Sequence, residues 1–177
     1  MTTVEYLQTP ETVLPRELAF GVLHVAESPT VLHQRVVRDL TIELTAFTRE
    51  RLLGEVLPAP MDVILDFENN LVVQPDLLFV AGERQYIVTD RVYGPPDLVV
   101  EVLSPNPRIG RLEERVGWFA RYGVRECWLV DVPNRQIAVL SLIERGVESR
   151  SLAAGGQSVP TSVLSGLELT PDQIFGW

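Results

Sequence analysis

The sequence predicts an α/β fold, a mixed β-sheet with flanking helices, and three observations carry that expectation. Strand, helix and strand signals follow one another between residues 97 and 130, the spacing of a crossover between parallel neighbours. Short apolar runs broken by Glu68-Asn69-Asn70 precede them and read as antiparallel strands. A long stretch from Val31 to Leu53 sets Val36, Leu40, Ile42, Leu44 and Phe47 at the spacing of a partly buried helix.

Element by element, Thr2 to Leu7 suits a short helix stopped near Pro10, and Arg16 to Ala26 a hairpin turning at Gly21. Ser28-Pro29-Thr30 punctuates before the long helix, and Gly54 stands beyond it as a stop. Strands are expected at Met61 to Leu65, Val72 to Gln74 and Asp76 to Val80, then at Asp97 to Leu103, ended by Pro105-Asn106-Pro107. A helix from about Gly110 to Tyr122 closes on Gly123, and strands at Cys127 to Val130, Ile137 to Leu142 and Ser149 to Leu152 complete the chain. No repeat or linker divides it, so residues 1–177 are expected to form a single domain.

A chain of 177 residues with 46% hydrophobic and 22% charged side chains belongs among globular proteins, not disordered ones. No apolar run reaches the roughly 20 residues that cross a bilayer, and the N-terminus carries no leader pattern. Cys127, the one cysteine, can form no internal disulfide. It suits a reducing compartment, and a cytoplasmic location is expected. The net charge of −9 argues against broad nucleic-acid binding. A local basic cleft is still open, because Arg108, Arg111, Arg115, Arg121 and Arg125 concentrate in one segment, diluted by Glu113, Glu114 and Glu126. A solvated helix face explains that segment equally well. Every one of the 15 basic side chains is arginine; the chain has no lysine.

The chemistry concentrates on two carboxylates. Glu101 interrupts the apolar run Leu98-Val99-Val100-Glu101-Val102-Leu103, and Pro75-Asp76 precedes the run Leu77-Leu78-Phe79-Val80. An ionised carboxylate in a buried strand needs a positive partner. Asp76 on a neighbouring strand could share a divalent metal, Mg²⁺ or Mn²⁺, with Glu101; a nearby arginine could pair with Glu101 instead. Asp97 lies roughly 13 Å along the strand from Glu101, too far to share an ion with it, and reads as a turn or capping residue.

The segments Glu17-Leu18 with Gly21, His33-Gln34, Pro75-Asp76 and Pro96-Asp97-Leu98-Val99-Val100-Glu101-Val102-Leu103-Ser104-Pro105 resemble the Uma2 family. So do Tyr122-Gly123-Val124-Arg125-Glu126-Cys127-Trp128-Leu129-Val130-Asp131 and Leu164-Ser165-Gly166-Leu167-Glu168-Leu169. That family is a branch of the PD-(D/E)XK restriction endonuclease-like superfamily. The resemblance implies a restriction endonuclease-like core and a Mg²⁺- or Mn²⁺-dependent endonuclease acting on DNA, with Asp76 and Glu101 as metal ligands. The superfamily lysine would stand two residues past Glu101, where this chain has Leu103. In families of this kind it moves to the following helix, a position that corresponds here to Arg115. Arginine stays charged and cannot readily act as a base. A catalytically weakened or inactive nuclease fold, serving as a binding or oligomerising module, is therefore the alternative.

His33 could contact phosphate or a metal-bound water, but a capping or surface position is the plainer reading. Glu17 could extend the acidic cluster, though hairpin strands often carry exposed glutamate; Glu43 should face solvent, and Trp118, Phe119 and Tyr122 should pack in a core or an interface. A homodimer is expected, because Leu18, Phe20, Val22 and His24, with Val63, Ile64 and Leu65, make more strand surface than one core needs. The long helix covering those strands within one chain would be the other outcome.

Overall fold

The computed structural model describes residues 1–10, 14–103 and 111–176. The expected strand stop Pro105-Asn106-Pro107, the residue Arg108 and the helix start at Gly110 lie outside the described residues.

The chain opens on α1 (Thr3–Leu7), capped reciprocally by Thr2 and Glu5. The hairpin β1 (Arg16–Ala19) and β2 (Val22–Val25) follows as expected. Its two turn residues, Phe20 and Gly21, have φ of 49° and 87°, the signature of a type I′ turn. Next comes α2 (Val31–Glu50), begun by Thr30, whose hydroxyl accepts the His33 N–H at 3.2 Å.

The helix ends three residues before Leu53. Leu52 is 91% exposed, and Gly54 does not merely stop the helix but starts a strand absent from the sequence reading, β3 (Gly54–Pro58). Gly54 has φ of 148°, and a Cβ there would lie 2.1 Å from the Val80 carbonyl oxygen, so only glycine lets the strands approach. Ile42, expected on the buried face, is 57% exposed.

Then come β4 (Val63–Asp66), β5 (Leu71–Val73), β6 (Leu77–Ala81), a 3-10 turn at Gly82–Ile87 and β7 (Val92–Tyr93). The expected crossover is present as β8 (Leu98–Val102), α3 (Leu112–Tyr122) and β9 (Glu126–Asp131), with β8 and β9 parallel. Gly123, at φ of 97°, ends α3. The chain finishes with β10 (Gln136–Ile143), β11 (Gly146–Ala154) and a single turn, α4 (Pro171–Ile174).

The strands divide into two mixed sheets, not one layer. One has the order β2-β1-β5-β4-β7 and the other β11-β10-β9-β8-β6-β3. The central strands of the six-stranded sheet are buried on both faces, which is why β6 and β8 read as nearly unbroken apolar runs. Leu98, Val100 and Val102 pack with Val36, Leu40 and Leu44 of α2. Val99, on the opposite face, packs with Val63 and Leu71 of the smaller sheet and with Val116 and Phe119 of α3. Leu18, Ile64 and Val72 pack on the far side of the smaller sheet under Tyr6 of α1. Leu18, Val63, Ile64 and Leu65 are therefore covered within the chain, by α1 and the other sheet rather than by α2, and are not available to a partner. Among the described residues no helix is long and apolar enough to cross a membrane.

Candidate active site

Glu101 shares the β8 face that carries Val99, so its carboxylate enters the space between the two sheets beneath α3. The antiparallel register of β6 and β8 pairs Leu77 with Val100 and Leu78 with Val99. One further step sets Asp76 opposite Glu101. Directly opposed residues of an antiparallel pair put their side chains on the same face, with Cβ atoms about 5 Å apart. The two carboxylates picked from the sequence thus share one end of one sheet face.

Each is held. Asp76, buried at the strand entrance, accepts the Val102 N–H through Oδ2 at 2.8 Å. Its Oδ1 lies 3.1 Å from His33 Nε2. His33 is 7% exposed, so the surface position expected for it is wrong. The first turn of α2 delivers the imidazole to the end of the sheet, with the Thr30 cap fixing that turn.

Arg115, on the buried face of α3, reaches the same place. Its Nε donates to Glu101 Oε1 at 2.7 Å, while Nη1 and Nη2 donate to the two oxygens of Glu17 at 2.6 and 2.7 Å. Glu17, buried on β1, also accepts the Gln74 N–H. The guanidinium further sits 5.4 Å from the centre of the Phe119 ring. Glu17 is thus a member of the cluster, which the sequence could only raise as an option.

Among the described residues, three carboxylates, Glu17, Asp76 and Glu101, therefore surround one permanent cation. The electrostatic consequence falls on Glu101. Burial pushes its pKa up to about 8; Arg115 opposes the rise, and the Asp76 and Glu17 charges add to it. Burial works to lower the Arg115 pKa, but Glu101 and Glu17 together hold it above the usual arginine range. Arg115 is charged at every accessible pH and cannot accept a proton.

Asp97 belongs elsewhere. It is neither a turn residue nor a helix cap but a buried anchor at the start of β8. It accepts the Ala81 N–H at 2.9 Å and pairs with Arg84 at 3.1 Å and Arg125 at 3.3 Å. Glu43 is exposed as expected, Phe119 is core, and Trp118 packs edge-on against Phe20 with ring centres 5.6 Å apart. Tyr122 donates to Asp66 at 2.8 Å. Arg111, one helical turn before Arg115, is exposed.

A cleft of about 570 Å³ opens beside Asp76, lined among others by His33, Gln74, Arg16, Asp62 and Arg91. Among the described residues, no three or more His, Cys, Asp and Glu side chains form a group that could hold a metal ion. Mg²⁺ asks for less: one or two carboxylates, with waters and substrate oxygens filling the remaining positions. The hard oxygen donors of Asp76 and Glu101, in a cluster with surplus negative charge, fit that demand.

Comparison with known proteins agrees with this fold. The Uma2 family model, described as "Putative restriction endonuclease", matches residues 3–172. A crystal structure from Anabaena variabilis, titled as a putative nuclease belonging to DUF820, shares the fold with a TM-score of 0.82 at 18% sequence identity. The match covers 100% of this chain and 98% of that one. No curated protein matches the chain in sequence.

Proposed function

The chain belongs to the Uma2 family, and from that membership and the Asp76–Glu101 pairing we propose a Mg²⁺- or Mn²⁺-dependent endonuclease hydrolysing DNA phosphodiester bonds. The observation that carries the proposal is the placement of Asp76, which lines a cleft, opposite Glu101, with Arg115 bound to Glu101. Asp76 and Glu101 would hold the metal, which when bound lends positive charge to the scissile phosphate and acidifies a water.

The protein's own groups do the positioning. The Val102 N–H and His33 fix the two oxygens of Asp76, so its carboxylate is oriented before any ion arrives. Arg115 fixes Glu101 and offsets part of the charge of Glu17. Three of its five N–H donors are committed to carboxylates, so it is a positioning residue and not a base. Arg16 on the cleft wall would give a phosphate backbone a cationic contact in a chain of net charge −9, while Arg91 beside it is paired with Asp62 and Asp90. The reaction is assigned to the cytoplasm, where a free, buried Cys127 persists, and to one domain spanning residues 1–177.

A second reading rests on the same guanidinium. Locked between Glu17 and Glu101, Arg115 offers less to a phosphate or a water than a lysine would, which favours a weakened enzyme or a non-catalytic module. Incubation of supercoiled plasmid with Mg²⁺, Mn²⁺ or EDTA decides between the two. The nuclease reading expects nicking with metal that disappears in Asp76→Ala and in Glu101→Ala. Intact plasmid with both metals, from protein shown to be folded, would leave the module reading standing.

A further inference from the structure

Among the described residues, four strands stand at the edges of the two sheets, and three of them are protected against pairing with another chain. β3 carries Glu55 and Pro58 and lies against α2. β11 carries Glu148 and Arg150, and β7 is only two residues long. Charge, proline, cover and brevity are the usual devices that block an edge. The remaining edge, β2, has none of them. Its residues are Val22, Leu23, His24 and Val25, and the three apolar ones are 57%, 38% and 56% exposed.

The hydrogen-bond phase of β2 follows from its turn. A two-residue type I′ loop makes Ala19 and Val22 a hydrogen-bonded pair, and Glu17 with His24 is the next. The Ala26 N–H, bonded to the Pro15 carbonyl at 2.8 Å, continues the same phase. The peptide groups of Val22, His24 and Ala26 thus face β1, while those of Leu23 and Val25 face outward.

A two-fold axis normal to the sheet can pass through Leu23, His24 or Val25. Centring on Leu23 would draw in Gly21, whose N–H already bonds Asn70 and whose carbonyl accepts the N-terminal amine. Centring on Val25 would need Glu27, beyond the strand and next to Ser28-Pro29. Centring on His24 pairs Leu23 with Val25 of a second copy, and the reverse, and satisfies all four outward peptide groups of each strand segment. No formal charge lies on the strand, so a chain of net charge −9 meets itself here without like-charge contact.

We infer that β2 is the interface of a two-fold homodimer, in which two copies pair antiparallel about His24 and join their smaller sheets into one of ten strands. His24 lies across from Glu17, the carboxylate that grips Arg115. One row therefore runs Glu17, His24, then the partner's equivalents, and the two Arg115 clusters face the same side of the joined sheet. Three strand spacings separate the two Glu17 backbones, about 14 Å. The inference depends on the edge alone and holds whether or not the protein cleaves DNA.

Two experiments on the full chain test it. Light scattering at tens of micromolar should give twice 19.8 kDa for the wild type, and Val25→Lys, at an exposed position, should raise the dissociation concentration at least about tenfold. Mild oxidation of His24→Cys should then give a disulfide-linked dimer. Opposed non-hydrogen-bonded residues have Cα atoms about 4.5 Å apart, within disulfide reach, whereas two copies of Leu23 lie beyond it. Leu23→Cys should accordingly stay monomeric on a denaturing gel. A monomeric wild type would overturn the inference. So would a dimer that ignores Val25→Lys, or one that cross-links through Leu23→Cys and not His24→Cys.

Discussion

Asp97 and Glu101 stand at the two ends of β8, and their surroundings differ in kind. Asp97, 1% exposed, meets one backbone N–H and two arginines, Arg84 and Arg125. Positive charge exceeds negative there, and the carboxylate ties the start of β8 to the end of β6. Glu101 meets one arginine, and two further carboxylates crowd it. Glu126, the buried carboxylate of β9, is a third case. Neutral donors from Trp128, Thr161, Ser162 and Val163 satisfy it, and it pins the C-terminal segment to the sheet. A carboxylate whose partners are complete is architecture. Among the described residues, the Asp76–Glu101 end of β8 keeps surplus negative charge and Asp76 lines a cleft, so that end is placed for a cation.

The largest effect that can break this contrast is expected at Arg115. Arg115→Leu removes the cation from a cluster of three carboxylates, leaving Glu17 and Glu101 buried and unpaired, at a cost of about 3–5 kcal/mol. Urea denaturation in EDTA measures it, and added Mg²⁺ should recover part of the loss by neutralising the same charges. A loss below about 1 kcal/mol would mean that the cluster is solvated and the geometric argument fails.

Asp97→Ala is expected to cost less, about 1–3 kcal/mol. It strands the buried Ala81 N–H, while Arg84 and Arg125 can turn toward water. The same denaturation series should show no recovery with Mg²⁺. Recovery equal to that of Arg115→Leu would erase the distinction between the two ends of β8.

The smallest effect is a slope with pH. Glu101 has a folded pKa of about 8 against an ordinary value of 4.5. Between these values the folded protein holds a proton that the unfolded chain has released, so stability from this group falls as pH rises from about 4.5 to 8. The slope is at most about 1.4 kcal/mol per pH unit. Denaturation at pH 5, 6, 7 and 8 should show the decline in the wild type and a flatter profile in Glu101→Gln. Identical profiles would remove the burial argument for Glu101.

Local patterns explain what the sequence could disclose. The β8–α3–β9 crossover was legible because an apolar run, a helical repeat and a Gly123 stop follow in order; Glu101 and Arg115 lie within those segments, and Asp76 directly precedes the apolar run of β6. β3 was not, since Gly54 and Pro58 bracket it and mimic a loop. Alternation along the strands names their buried faces but not which sheet each joins, so the division into two sheets was hidden. His33 was read as a capping or surface residue and Glu17 only as an optional member of the cluster, because their burial depends on distant partners. The Glu17–Arg115 contact spans 98 positions, and no periodicity reports such a contact. Part of the surface expected to dimerise was misjudged for the same reason: Leu18 and Ile64 are apolar because α1 folds over them, whereas Phe20 and Val22 of the same set stay exposed.

The central claim is that Asp76 and Glu101 form a cation site that Asp97 does not share. Calorimetric titration of Mg²⁺ into the wild type, Asp76→Ala and Asp97→Ala at one pH tests it most directly. The account predicts saturable binding in the wild type, retained in Asp97→Ala and abolished in Asp76→Ala. No binding by the folded wild type, or undiminished binding by Asp76→Ala, would contradict it.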